Sequence, residues 1–272
     1  MTRKALPDSL TSYDFLKALA VVLMVADHIG AYYLPDMLWL RVAGRLCVPM
    51  WFFLIGYARS RDLGRLLWWG ALLVILSDFV AGRYIFPLNV LVTILLVRML
   101  IDLYMKFAMR SSLAFWCGAM ALAALVAPSA LLTQYGTQGL LLAAFGWIVR
   151  HMPQNDHPAA ATVFPYIVFC TLVFTLTQWS LFRFSPEQTT ILFLGTLLTM
   201  ATLRSFRPIA FTRLTNSLPA GLTILLQGAG RHTLLIYVTH LLLIKIAGLW
   251  LYPEWFNFLG WELLPPAPWL QP

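Results

Sequence analysis

The sequence predicts an all-α, polytopic integral membrane protein. Hydrophobic residues make up 60% of the 272 positions and charged residues only 11%, a balance outside the range of soluble domains. Apolar runs long enough to cross a bilayer, or nearly so, recur along the whole chain. A secreted protein with one cleaved signal would have a single such run near its start, so that class is excluded.

About nine membrane-spanning helices are predicted, with prolines in or beside the connections, where helices end. The stretch 209–229 holds only a short apolar run and is predicted to be an interfacial or re-entrant helix; as a tenth span it would move the C-terminus inside. No linker divides the chain, so 1–272 is predicted to be one membrane-embedded module, with 252–272 as an extracytoplasmic tail rich in Pro and Trp. The predicted spans are 13–33, 38–58, 66–81, 88–104, 112–127, 132–149, 161–182, 187–203 and 232–251.

The distribution of basic residues predicts a cytoplasmic N-terminus, because basic loops stay on the cytoplasmic side. In this orientation the outer loops carry only Arg83 and Arg183. The net charge of +8 therefore reflects membrane topology, and we expect no nucleic-acid partner. The inner segments carry twelve basic residues: Arg3, Lys4, Arg59, Arg61, Arg65, Lys106, Arg110, Arg150, Arg204, Arg207, Arg213 and Arg231.

The first predicted helix carries ionisable side chains on one face. Lys17 and His28 are eleven positions apart, which is about three helical turns and roughly 16 Å. Both side chains therefore point the same way, Asp14 and Met24 fall on the same stripe, and Asp27 lies about 100° away. Such groups are costly in a membrane unless they line a cavity. We predict that this face lines a cavity, with Lys17 near the inner surface and His28 in the outer half.

His28 is the candidate general base, since imidazole titrates near neutral pH; the alternative is a histidine that only packs. Adjacent helical residues do not face each other, so Asp27 is expected to pair with a cation on another helix. Arg41 and Arg45, at i and i+4 of the second span, are the candidates, and Gly44 permits a close helix approach. Arg45 is also a candidate for stabilising an oxyanion.

Other polar groups inside predicted spans could contact a ligand. Asn89 and Thr93, at i and i+4 of the fourth span, could donate to an oxyanion or make ordinary interhelical hydrogen bonds. His240, in the last span, could bind substrate or belong to a polar cluster. The inner-loop arginines could bind phosphates, or they could serve only to fix the topology. These arginines are Arg59, Arg61, Arg65, Arg204 and Arg207.

The shape of the expected ligand follows from the first helix. A ligand with a charged head at Lys17 and a reactive end at His28 must be long and thin, like the pantetheine arm of coenzyme A with its phosphates. No histidine pair has the spacing of a metal site, so no metal is expected. The chain has no GxSxG, Walker or Gly-rich dinucleotide motif. Its three cysteines lie in apolar runs and are expected to pack as small hydrophobic residues.

Five blocks of this sequence resemble the TraX family of pilin acetylases from conjugative systems, over residues 12–245. The spacing of Asp14, Lys17 and His28 is also similar to that of wider transmembrane acyltransferases, in which a basic residue, ten positions and a histidine follow one another. The five blocks are Tyr13–Ala20, Asp27–Gly30, Gly44–Pro49, Asn89–Thr93 and Gly230–His240.

The resemblance implies an acetyl-CoA-dependent acyltransferase in the bacterial inner membrane. It implies His28 as the catalytic histidine and Lys17 as its basic partner. The acceptor would be a pilin N-terminal amine, or else the hydroxyl of an envelope glycan. The expected catalytic set is His28, Asp27 and Arg45, and the expected donor-binding set is Lys17, Asp14, Arg59, Arg61, Asn89, Thr93 and His240.

Two other classes fit the same sequence. A proton-coupled transporter could use the intramembrane acids and histidines as a relay, and it would show proton-linked flux without binding CoA. A non-catalytic assembly factor of the envelope would keep its function when His28 is replaced by Ala. The oligomeric state does not follow from the sequence.

Overall fold

The computed structural model describes residues 7–152, 160–253 and 256–264, and these residues form helices without any strand. The helices are α1 (Ser12–Tyr32), α2 (Leu38–Arg45), α3 (Cys47–Tyr57), α4 (Arg65–Val80), α5 (Val90–Ala108), α6 (Ser112–Ala124), α7 (Val126–Ala130), α8 (Gly136–His151), α9 (Ala160–Phe182), α10 (Pro186–Leu203), α11 (Thr212–Ser217), α12 (Ala220–Arg231) and α13 (Thr233–Leu251).

Each of the nine predicted segments coincides with one helix or with two consecutive helices. The prediction of nine spans is nevertheless not supported. Helices α4 and α8 have 16 residues each, about 24 Å of helix against a hydrocarbon core of about 30 Å, and α5 carries Arg98, Asp102 and Lys106. The N-inside orientation stays a prediction. Four helical stretches in the described residues are long and apolar enough to cross a membrane: Ser12–Tyr32, Leu38–Tyr57, Ala161–Phe182 and Thr233–Leu251.

Side-chain caps set where several helices begin. At α1 the Thr11 hydroxyl accepts from the Asp14 backbone N–H, and the Asp14 carboxylate accepts from the Thr11 backbone N–H at 2.9 Å, which is a capping box. Ser185 and Gln188 form the same arrangement at α10. Asn89 caps α5 by accepting from the Leu91 N–H. Asp14 and Asn89, both proposed as ligand contacts from the sequence, therefore also have local structural roles.

Helix α1 lies at the centre of the packing that builds the site, since α2, α3, α12 and α13 all contact it. Two glycines allow the closest approaches. A Cβ at Gly44 of α2 would collide with Asp27, and a Cβ at Gly230 of α12 would collide with the backbone of Asp14. The backbones of α2 and α12 therefore come against α1 at its two buried acids.

The stretch 209–229 forms α11 and most of α12, and neither helix is a candidate span. A tenth span is thus not supported. Beyond α13, the described residues 256–264 fold back onto the bundle. The backbone N–H groups of Ile85 and Phe86 donate to carbonyls of Glu262 and Leu263 at 3.1 and 2.9 Å. The rest of the predicted tail, at 254–255 and 265–272, lies outside the described residues.

Candidate functional site

A cavity of about 1380 Å³ runs along α1. The predicted stripe of Asp14, Lys17, Met24 and His28 lines it, together with Asp27. The periodicity of the sequence thus identified the wall of the cavity. The volume exceeds the roughly 300–1,000 Å³ of ordinary small-molecule pockets, so the cavity has room for a long ligand.

The two ends of the cavity are formed by different parts of the chain. Near the start of α1 its wall includes Pro7, Arg59 and Pro208. Near the end of α1 its wall includes Arg83 and Tyr84, from the connection that pairs with the folded-back tail. A ligand bound along α1 could therefore contact residues near both surfaces of the bundle.

Two histidines that are far apart in the sequence meet at one side of this cavity. His28 Nδ1 lies 2.8 Å from His240 Nε2, and His240 Nδ1 lies 2.7 Å from the carbonyl oxygen of Ile236. A carbonyl only accepts, so His240 Nδ1 must carry the proton. In a neutral His240, Nε2 then accepts, and His28 Nδ1 donates. His28 Nε2 is left with its lone pair, the form that a general base requires.

The two histidine rings differ in their access to the cavity. His28 lines the cavity whereas His240 does not, so His240 stands behind His28. The ring of Tyr237, which also lines the cavity, lies 5.9 Å from His28 and 5.8 Å from His240. Among the residues that the structure describes, no hydrogen-bond partner is found for His28 Nε2.

The predicted pairing of Asp27 with two arginines of the second span is confirmed. Arg41 Nη1 lies 3.0 Å from Asp27 Oδ2, and Arg45 Nε lies 3.6 Å from Asp27 Oδ1. Arg45 also donates to the Tyr135 hydroxyl. Both guanidinium groups lie 4.7 Å from the ring centre of Phe182. Two cations against one carboxylate leave a net positive charge on the cavity wall beside His28.

A second buried ion pair, which sequence reasoning missed, joins α13 to α4. Lys245 Nζ lies 2.6 Å from Asp78 Oδ1 and donates to Ser77 Oγ at 2.8 Å. Lys245 is only 2% exposed. The pair lies five residues beyond His240 on α13 and fixes the helix that carries the second histidine. Intramembrane charge was the available signal, but the partner depended on the tertiary fold.

At the other end of α1, the carboxylate of Asp14 already has partners within the protein. Its Oδ1 lies 3.4 Å from Arg231 Nε, and its Oδ2 accepts from Thr11. Lys17, one turn later, is half-buried and lines the cavity. Lys17 has no ion pair or hydrogen bond to any residue that the structure describes. The structure therefore places Lys17 where a ligand could reach it, and Asp14 where it holds α12.

Of the loop arginines predicted to bind phosphate, Arg59 lines the cavity, whereas Arg61, Arg65, Arg204 and Arg207 do not. Arg59 is exposed and lines the edge of the cavity. Arg61 is not on the cavity wall: its guanidinium donates to the Ala58 carbonyl at 2.7 Å and pairs with Asp102 at 3.0 Å. It also donates to the Ile55 carbonyl at 2.9 Å. Arg61 thus satisfies the open carbonyls at the end of α3.

The two predicted oxyanion donors of α5 both make hydrogen bonds within the fold. Asn89 lines the cavity, but its amide donates to the Ala71 carbonyl at 3.0 Å. The hydroxyl of Thr93, which is not on the cavity wall, donates to the Gln134 carbonyl. A hydroxyl has a single hydrogen, so Thr93 has none left for an oxyanion. In this structure both residues tie α5 to its neighbours.

The cavity-wall residues that were not singled out from the sequence include Arg98, Tyr135 and Tyr237. Tyr237 is three positions before His240, hence on the same helical face, and that spacing could have identified it. Arg98 is a cation within a predicted span, which is itself a signal of function. Tyr135 is the N-cap residue just before α8, and no local pattern marks it. In the described part of the chain, no group of three or more His, Cys, Asp or Glu could hold a metal ion.

Comparison with known proteins gives two matches. A family model described as "TraX protein" matches residues 12–247, a range that includes both histidines and all the ion pairs of the cavity wall. A protein of Rickettsia prowazekii (strain Madrid E), described as the uncharacterized protein RP591, is 29% identical over 182 residues, which cover 64% of this chain and 71% of that protein. No solved structure matches the chain.

Proposed function

The chain belongs to the TraX family, and on that premise we propose that it is a membrane-embedded acetyltransferase that uses acetyl-CoA as its donor. One observation carries the proposal. A single cavity joins Lys17 to His28, about 16 Å apart along α1. An anionic head group at Lys17 and a thioester at His28 would occupy this cavity as the two ends of one extended molecule.

The tautomers of the histidine pair support His28 as the base. An acceptor amine or hydroxyl attacks the carbonyl carbon of the acetyl thioester, and His28 Nε2 takes the proton from the attacking atom. The new C–N or C–O bond forms, the C–S bond breaks, and the CoA thiolate regains a proton from His28. His240 Nε2 accepts from His28 Nδ1–H throughout and so stabilises the imidazolium. His240 is a positioning residue in this scheme.

The two arginines beside Asp27 suit the other charge of this reaction. The tetrahedral intermediate carries a negative oxygen, which fixed positive groups in a water-poor site stabilise strongly. Arg45 and Arg41 leave one positive charge uncompensated by Asp27. They are proposed for the oxyanion in place of Thr93, whose single donor is occupied, and of Asn89, whose amide already donates to the Ala71 carbonyl and whose oxygen caps α5.

The acceptor is proposed from the family alone. A pilin N-terminal amine is favoured, and the hydroxyl of an envelope glycan is second. The protein would then act in the bacterial inner membrane, with acetyl-CoA reaching the Lys17 end from the cytoplasm. The acceptor would reach His28 from the other end of the cavity or from the bilayer.

The test uses the purified full chain in nanodiscs of neutral lipid with acetyl-CoA. The acceptors are a peptide with a free N-terminus, the same peptide N-acetylated, and a sugar. Release of CoA thiol and the mass of the product are recorded for the wild type and for His28→Ala. The wild type should release CoA thiol and place an acetyl group on the free peptide amine. Loss of the general base in His28→Ala should lower the rate of thiol release at least about 100-fold.

The control variant is His232→Ala, since His232 is exposed and not on the cavity wall. It should act like the wild type. Equal thiol release by His28→Ala and the wild type would contradict the proposed base. A transporter would be favoured if the protein neither transferred acetyl groups nor bound acetyl-CoA, and if it moved a substrate across vesicle membranes together with protons.

A further inference from the structure

Most of the basic side chains that are not exposed have a carboxylate or an aromatic ring of the described chain beside them. In the described ranges, nine Lys or Arg side chains are not exposed. Arg83 and Arg150 lie over aromatic rings, at 5.2 Å from Tyr32 and 5.1 Å from Tyr57. Five others have a carboxylate within 4 Å: Arg41, Arg45, Arg61, Arg231 and Lys245.

The remaining two cations are Lys17 on α1 and Arg98 on α5, and both line the same cavity. Arg98 Nη1 donates to the Asp62 backbone carbonyl at 2.6 Å, and Arg98 Nε is buried without a partner in the part of the chain that the structure describes.

Among the described residues, no nearby acid has a carboxylate oxygen within 4 Å of either cation, and Asp62, which also lines the cavity, forms no ion pair with Arg98. Asp14, one turn before Lys17, pairs with Arg231. Asp102, one turn after Arg98, pairs with Arg61. Unpaired cations are costly at a partly buried site, so two of them on one cavity wall favour the binding of an anion there.

We propose that Arg98 and Lys17 together bind the phosphates of the acetyl donor, so that Arg98 is a donor-binding residue. The proposal rests on the proposed function, which supplies an organic diphosphate as the ligand. The guanidinium of Arg98 is suited to phosphate because its planar donors can bind two oxygens at once. Its carbonyl contact with Asp62 holds the side chain in place before the ligand arrives.

Organic phosphate could also come from the headgroup of an anionic phospholipid, and the experiment separates the two sources. CoA, which carries no acetyl group, is titrated calorimetrically against the full chain in nanodiscs of neutral lipid. Arg98→Gln should weaken CoA binding at least about tenfold, as expected for lost charge-assisted hydrogen bonds. The CoA affinity of Arg98→Lys should lie between those of the wild type and Arg98→Gln.

The matched control is Arg65→Gln, because Arg65 is exposed and does not line the cavity. Its CoA affinity should equal that of the wild type. Thermal unfolding shows that each variant is folded. Unchanged CoA affinity in folded Arg98→Gln overturns the proposal; if that variant also loses a co-purifying anionic lipid by native mass spectrometry, the site belongs to the lipid.

The outcome is independent of the proposed chemistry. Acetyl transfer that needs His28, with CoA affinity unchanged in Arg98→Gln, would leave the acetyltransferase standing and remove Arg98 from it. Weaker CoA binding in Arg98→Gln without any acetyl transfer would leave the phosphate site standing and remove the proposed reaction.

Discussion

The two ends of the cavity along α1 differ in whether their charged side chains have ion-pair partners. At the His28 end, Asp27 is held by Arg41 and Arg45, and nearby Lys245 is held by Asp78. At the other end, Lys17 and Arg98 face the cavity with no carboxylate of the described chain within ion-pair distance. At the first end every cation has an ion-pair partner, although Asp27 offsets only one of its two arginines; at the second end neither cation has an ion-pair partner in the described chain.

The difference separates charges that hold the fold from charges that serve a ligand. A complete buried ion pair contributes little net stability, but removing one partner strongly lowers the free energy of unfolding. Removal of an unpaired cation should have the opposite effect: the free energy of unfolding should change little, and the affinity for the ligand should fall strongly. Mutations at the two ends should therefore change different measured quantities, stability at one and donor affinity at the other.

The largest effect on stability is expected for Asp27→Asn, which keeps the shape of the side chain but leaves two buried arginines uncompensated. Loss of one partner of a buried pair typically costs about 3–5 kcal/mol. The free energy of unfolding, measured by denaturant titration in detergent, should fall by that amount. Asp36→Asn, at an exposed loop position, is the control and should be neutral. Equal stability of the two variants would mean that the Asp27 cluster does not hold the fold.

A somewhat smaller loss is expected for Lys245→Met, near 3 kcal/mol, the lower end of the same range, because Asp78 is 19% exposed. Asp78→Asn alone should also destabilise, since it leaves Lys245 unpaired. The double variant should recover part of the loss, which a double-mutant cycle of unfolding free energies measures. Strictly additive losses would show that the two side chains do not interact.

An effect on rate alone is expected at His240. His240→Ala removes the acceptor for His28 Nδ1–H and should lower kcat about tenfold, the value of roughly one neutral hydrogen bond. His240→Gln keeps an acceptor oxygen and should retain more activity. KM for acetyl-CoA should not change in either variant. Thr239→Ala, at an exposed neighbouring position, is the control, and a Gln variant as slow as the Ala variant would exclude the positioning role.

The smallest effect is expected for Arg61→Ala. Its ion pair with Asp102 is largely exposed on the acid side, at 57%, and exposed pairs contribute only about 0–1 kcal/mol. The hydrogen bonds to the end of α3 should add a similar amount. CoA affinity, measured by calorimetry, should stay within about twofold of the wild type. A large loss of CoA affinity would return Arg61 to the donor site.

The sequence predicted the parts of the site that depend on one helix. The 3.6-residue period alone placed Asp14, Lys17, Met24 and His28 on one wall, because they share a single regular element. The i, i+4 spacing of Arg41 and Arg45 likewise predicted that both could face Asp27. Helix positions were also predictable from apolar runs, whereas the number of spans was not, since several of those helices are short.

Contacts between distant helices could not be predicted. His240 lies 212 positions from His28, and only the packing of α13 on α1 brings them together. Arg61 and Thr93 look like ligand contacts by residue type, but nearby carbonyls take their donors. A cation within a predicted span marked Arg98 as unusual, but its lack of a carboxylate partner became visible only in the fold.

The central claim is that the two ends of the cavity have separate roles, and initial rates measured against acetyl-CoA concentration test it most directly. Arg98→Gln should raise KM at least about tenfold with kcat nearly unchanged, and His28→Ala should lower kcat at least about 100-fold with KM unchanged. A fall of kcat without a change of KM in Arg98→Gln, or an unchanged kcat in His28→Ala, would contradict the account.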